Sequence, residues 1–189
     1  MSSLPSRVLG LALVGALALH AASKDVAHLQ EMLWLCHVAS ALMALGLLAG
    51  WHRVVAACFL LHVGFGSLAW LIDALTTFET TPTSVLLHLL SLVAGALEVR
   101  RKGWPRGMVL PTWLFFSLWV LSCHWTTDPA FNVNMAHAPW GPWAGVVGGV
   151  WWSGLINSTA MLVGFLLADA VLRRVTRSWS AASDSAVVG

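Results

Sequence analysis

Between Pro82 and Val99 the chain runs for eighteen residues with one charged side chain, Glu98, near its end. A run of that length and apolarity matches the ~20 residues that a helix needs to cross the hydrocarbon core of a bilayer. Within it, Ser84, His88, Ser91, Gly95 and Glu98 fall at i, i+4, i+7, i+11 and i+14. At helical spacing these make one polar or small stripe on a leucine-rich rod. Lipid offers such a stripe no hydrogen-bond partners, so it must face a protein interior.

The rest of the chain repeats the pattern. It has 189 residues, 58% hydrophobic and only 10% charged, against about 25% charged in soluble domains. Residues 1–177 read as a single all-α, polytopic membrane helical bundle of six transmembrane helices. The spans fall at 8–22, 30–50, 54–75, 82–99, 108–125 and 144–172, and residues 178–189 form a Ser/Ala tail expected to be disordered. No soluble domain, linker or internal repeat stands out. The first span follows Arg7 and has the short apolar core of a secretory signal. His20-Ala-Ala-Ser23 is a poor cleavage site, because His is bulky at the −3 position, so the segment is read as a retained helix.

Basic residues set the expected orientation. With six spans, Arg7, Arg53, Arg100, Arg101, Lys102, Arg106, Arg173, Arg174 and Arg177 share one side, and only Lys24 lies on the other. Both termini are therefore expected in the cytoplasm of a multi-pass cell-membrane protein. The lipid bilayer is the expected partner. A formal charge of +2, with no long basic run, argues against nucleic acid. Trp51, Trp104, Trp140 and Trp143 sit at span ends, as an aromatic belt requires.

The ionisable groups gather in the outer half, which predicts a polar cavity opening outward. At 1.5 Å per residue, His37 lies about 10 Å and His88 about 9 Å below the outer boundary. A thiol needs a base to become a nucleophile, so Cys36 and His88 form the expected catalytic pair. His37, Ser40, Asn132, Asn134 and Asn157 are expected to line the cavity, and Ser40 or Asn157 would donate to an oxyanion. The loop from Asp128 to Pro139 is expected to fold over the mouth. Cys36, Cys58 and Cys123 lack any CxxC or zinc-like spacing. No HExxH, CxxCH or His-x3-His motif calls for a metal or cofactor. Imidazoles at similar depth nevertheless keep a second reading open, a non-enzymatic haem- or metal-binding membrane subunit using His37 and His88. A third reading is a small transporter or accessory subunit in which Asp73 and His62 titrate, on a stripe His62, Gly66, Ala69, Asp73.

Leu33-Trp-Leu-Cys36, the His88 helix, Asn132-Val-Asn-Met135 and Trp140-Gly-Pro-Trp143 follow one another in order over about residues 30–170. In this the chain resembles the YwaF-like family of integral membrane proteins, and more remotely the androgen-induced FAR-17a fatty-ester hydrolases. Trp34, Leu89 and Val133 depart from that family's pattern, which has histidine, glycine and tyrosine there. The resemblance implies acyl transfer or ester hydrolysis on a lipid substrate, with Cys36 as nucleophile and His88 as base.

Overall fold

Two of the spanning helices begin where the sequence supplies a capping side chain and a proline for the first turn. The structure, a computed structural model, describes residues 3–77, 80–139 and 149–187. Helix α1 (Leu4–Ala22) starts four residues before its expected boundary, because the Ser3 hydroxyl caps Ser6 N–H and Pro5 sits in the first turn. Helix α5 (Pro82–Lys102) is capped in the same way by Thr81, with Pro82 at its first position. It closes on Gly103 after Arg100, Arg101 and Lys102, cations that suit the negative end of the helix dipole.

The second expected span is broken. A 3₁₀ segment (Val26–Leu33) meets helix α2 (Leu35–Ala49) at a 69° bend. The pivot is Trp34, whose ψ of 135° lies outside the helical region. Asp25 caps the 3₁₀ segment by accepting from His28 N–H at 3.0 Å and from the His28 ring at 2.5 Å. That ring contact holds the Asp25 carboxyl below its ordinary range. The α2 helix stops at Gly50, which supplies the left-handed conformation (φ 79°) of a C-terminal cap.

The third span is continuous but irregular. Helix α3 (His52–Leu61) passes through a π-helical turn (His62–Gly66) into α4 (Ser67–Thr77). Helix α6 covers Val109–Thr126. Two 3₁₀ turns, Pro129–Phe131 and Val133–Met135, follow it. Helix α7 runs Val150–Val187. Its backbone carries on through the segment where a disordered tail is expected, since neither Gly nor Pro interrupts residues 178–187. The expected start of this span at 144, and Trp140-Gly-Pro-Trp143 before it, lie outside the described residues.

Among the described residues the fold is all helical. Leu4–Ala22, His52–Thr76, Pro82–Lys102 and Val150–Trp179 are each long and apolar enough to cross a membrane, and the bent pair Val26–Leu33 with Leu35–Ala49 makes a fifth where its two parts are taken as one span. These helices mark the chain as a membrane protein. The α6 helix, interrupted in its apolar run by Pro111, Thr112 and His124, is not among them.

Leu13, Met43, Leu47, Val55, Leu60, Leu87 and Phe165 form the buried centre. Hydrogen bonds join the helix ends in two separate sets. At one end, His20 meets Thr83, Gln30 meets Asp128, and Asn134 meets Leu33 and Leu35. At the other, Arg101 meets Ser3 and Ser6, His52 meets Gly103, and Trp104 meets Asp169. Glu98 belongs to the second set. Its place in the stripe suggests a surface carboxylate beside Arg101 or Lys102, yet it is only 1% exposed. Lys102 (2.6 Å), Arg101 (3.4 Å) and the Ser6 hydroxyl (2.8 Å) compensate the buried charge.

Glycines set the closest approaches. A Cβ on Gly164 would stand 2.8 Å from the Gly64 carbonyl, where α7 crosses the π turn. A Cβ on Gly95 would overlap the Phe59 ring, so α3 and α5 meet there without space for a side chain. Gly95→Leu is expected to destabilise the bundle by at least about 1–3 kcal/mol, the usual cost of overpacking. Thermal unfolding of the detergent-solubilised variant measures it, and an unchanged midpoint would contradict this packing.

Candidate functional site

The polar stripe on α5 meets matching polar positions on α1, α2 and the α3–π segment. His20, His37, His62 and His88 are all buried. Their rings follow one another, with centroids 4.7 Å apart for His20–His37, 6.3 Å for His37–His88 and 6.1 Å for His88–His62. Trp70 of α4 stacks on His88 at 4.3 Å and 10°, and donates its indole N–H to Ser84 Oγ at 3.0 Å.

Hydrogen-bond partners fix which imidazole nitrogen carries the proton in three of the four rings. His88 Nδ1–H donates to the Ser84 carbonyl (2.9 Å) and His37 Nδ1–H to the Glu31 carbonyl (3.0 Å). Carbonyls only accept, so both rings keep Nε2 as a bare lone pair. His62 is the opposite tautomer. Ser40 donates its one hydroxyl proton to the Cys36 carbonyl at 2.7 Å. It must therefore accept from the Ser91 hydroxyl (2.7 Å) and from His62 Nε2–H (3.2 Å). His62 Nδ1 then faces the Ser67 hydroxyl at 3.4 Å. His62 and Ser40 are thus engaged with protein partners, whereas the buried Nε2 of His88 has none.

This geometry sorts the expected site residues. His37 and His88 come together. Ser40 lies beside them as a structural node rather than a free donor. Cys36 is half-buried, and its thiol makes no hydrogen bond among the described residues. The two nitrogens of His88 are accounted for without it, so Cys36 and His88 are not hydrogen-bonded to each other. Asn134 is buried in the loop and acts as an anchor. It accepts from Leu35 N–H (2.7 Å) and donates to the Leu33 carbonyl (3.0 Å) and to Cys123 Sγ (3.3 Å). The Asn132 side-chain Oδ1 accepts from the N–H groups of His137 and Ala138, both at 2.9 Å, and thereby shapes its own loop. Asn132, Asn134 and Met135 all have positive φ (41°, 57° and 55°), a conformation that Asn tolerates better than most residues.

Asn157 lies outside the cluster of His20, His37, His62 and His88, in a cavity between α6 and α7 that His124 also lines. Asp73 stands exposed on α4, apart from buried His62. Sequence reasoning counted His20 among the outer-half histidines and His62 with Asp73, and left Trp70 out altogether. The signal for His62 was its depth, mid-way along a span with no end within reach, where an imidazole needs protein partners.

Among the described residues no three His, Cys, Asp or Glu side chains converge as a metal cage. The cluster offers two imidazole lone pairs instead. Comparison with family models, curated proteins and solved structures finds no match for the chain.

Proposed function

We propose that this chain is a multi-pass cell-membrane protein of six spans, both termini cytoplasmic, that binds a haem or a single transition-metal ion between His37 and His88. The observation carrying the site is the pair of Nδ1–H groups held on the Ser84 and Glu31 carbonyls. Metal-ligating histidines are typically held in this way, with the other ring N–H on a carbonyl or carboxylate that fixes tautomer and orientation. With metal–nitrogen bonds of about 2 Å, imidazoles on opposite sides of one ion put their ring centres about 6 Å apart. The His37 and His88 centroids lie 6.3 Å apart. His37 and His88 would hold such a group through their Nε2 lone pairs, and it would supply redox or electron-transfer chemistry.

The sixth span in this reading is α6. The two sets of end-to-end hydrogen bonds support alternating directions for the helices, and the basic residues put the end bearing Arg53, Arg101 and Lys102 in the cytoplasm.

A second reading keeps the acyl chemistry that the resemblance to the YwaF-like family implies. Its support is the same buried, unpartnered His88 Nε2, which would take a proton from Cys36 so that the thiolate attacks a lipid ester carbonyl; the ester C–O bond breaks, the leaving alcohol takes the proton from His88, and the thioester passes its acyl group to water or another alcohol. It ranks second because the thiol and the ring are not hydrogen-bonded.

Three measurements test these readings. Protein purified from membranes is expected to carry a Soret band, or a bound metal by elemental analysis, and to lose most of it in His37→Ala and His88→Ala but not in exposed His28→Ala. Equal content in all four proteins rejects the site. An active-site acyl probe that labels the protein, and fails to label Cys36→Ala, would move the conclusion to the second reading. Reporter fusions at Ser2 and at Ser178 should both report a cytoplasmic location. A periplasmic or external report from either one rejects the six-span orientation.

A further inference from the structure

The basic end of the bundle carries charge that the protein itself does not neutralise. Hydrogen bonds there join Arg101 to α1, His52 and Arg53 of α3 to the loop after α5, and Trp104 of that loop to α7. Arg100 and Lys102 close α5 beside them, and Arg173, Arg174 and Arg177 follow on α7. The nearby carboxylates are Glu98, held by Arg101 and Lys102, and Asp169, held by Arg173. Among the described residues Arg53, Arg100, Arg106, Arg174 and Arg177 are exposed and make no ion pair. Two of them share one corner. His52 donates Nε2–H to the Gly103 carbonyl at 2.9 Å, and Arg53 donates from Nη2 to the Arg106 carbonyl at 3.3 Å. These bonds hold the loop between α5 and α6 against the first turn of α3, with the Arg53 guanidinium on the backbone of a second arginine. The Arg106 side chain makes no hydrogen bond of its own to any described residue.

We propose that the corner formed by Arg53 and Arg106 binds the headgroup of an acidic phospholipid from the leaflet on that side. A guanidinium presents its N–H donors in a planar fork that matches phosphate oxygens. Arg53 spends one donor within the protein, and the rest of both forks is left for an anion. Cations gathered just beyond spanning helices attract acidic lipids. The setting selects a lipid over a free phosphate. Trp51, 59% exposed and just ahead of Arg53, marks the headgroup level. One helical turn after Arg106, exposed Leu110 begins a stripe on α6 that continues through Leu114, Leu118 and Leu121. At 1.5 Å per residue the stripe is about 16 Å long. That is half of the ~30 Å hydrocarbon core, the depth of one leaflet's acyl chains. A free phosphate matches the cations but leaves the stripe unused. The argument rests on α6 being a span, which the reporter fusions test separately, and not on the metal or haem site.

Full-length protein is reconstituted in bilayers of equal parts phosphatidylglycerol and phosphatidylcholine and extracted in mild detergent. Native mass spectrometry then counts the lipids that it retains. The parent is expected to retain phosphatidylglycerol about tenfold over phosphatidylcholine, the scale set by two interfacial cations. Arg53→Gln with Arg106→Gln should bring the ratio close to parity while keeping the parent's melting temperature. Arg174→Gln with Arg177→Gln removes the same charge from α7 and should leave the ratio within about twofold of the parent's, which separates one site from general attraction to a basic surface. If the Arg53 and Arg106 double variant does not fold, Arg106→Gln alone decides, because its side chain has no hydrogen bond to lose, and a fall of about threefold is expected. No preference in the parent, an equal fall in the α7 pair, an unchanged ratio in Arg106→Gln, or displacement of phosphatidylglycerol by inorganic phosphate at matched concentration overturns the proposal.

Discussion

One hydroxyl joins three helices. Ser40 on α2 donates to its own helix and accepts from Ser91 on α5 and from His62 at the π turn after α3. Hydrophobic burial does little to hold helices together in a bilayer, because lipid tails are as apolar as leucine side chains. Close contact and interhelical hydrogen bonds must do it. At Ser40 both occur together: the bonds set the rotation of three helices, and Gly95 against Phe59 sets how closely two of them approach. The orientation of His88 towards His37 and His62 depends on that rotation.

Much of the bundle was legible because the bilayer restricts the options so strongly. Apolar runs of spanning length gave the helices, and the stripe on the fourth span correctly pointed inward, since Ser91, Gly95 and Glu98 are all in or against protein. Helix ends were less legible. The Ser3 and Thr81 caps extended or fixed boundaries that hydropathy alone blurs, and the 69° bend at Trp34 had no nearby Gly or Pro to signal it.

The site was legible only in part, and the π turn explains one failure. The stripe His62, Gly66, Ala69, Asp73 assumes regular α-helical spacing. A π turn adds a residue to the helix and rotates everything after it. His62 therefore faces the core while Asp73 is exposed. The Cys36–His88 pairing rested on matched depth, which says nothing of rotation about the helix axis. His37, one residue along, points inward, and Cys36 is only half-buried. Asn132 and Asn134 were recognisable as turn formers, but the partners that make Asn134 an anchor are about a hundred residues away in sequence. No local pattern encodes such partners.

The buried Glu98 has a consequence for how the chain is made. An ionised carboxylate entering a bilayer alone is strongly disfavoured. Of its three partners, Arg101 and Lys102 lie one turn further along the same helix, and Ser6 comes from the first helix of the chain. A chain synthesised from its N-terminus has α1 complete before α5 emerges. Glu98 thus emerges after the Ser6 hydroxyl that can receive it and just ahead of the two cations on its own helix.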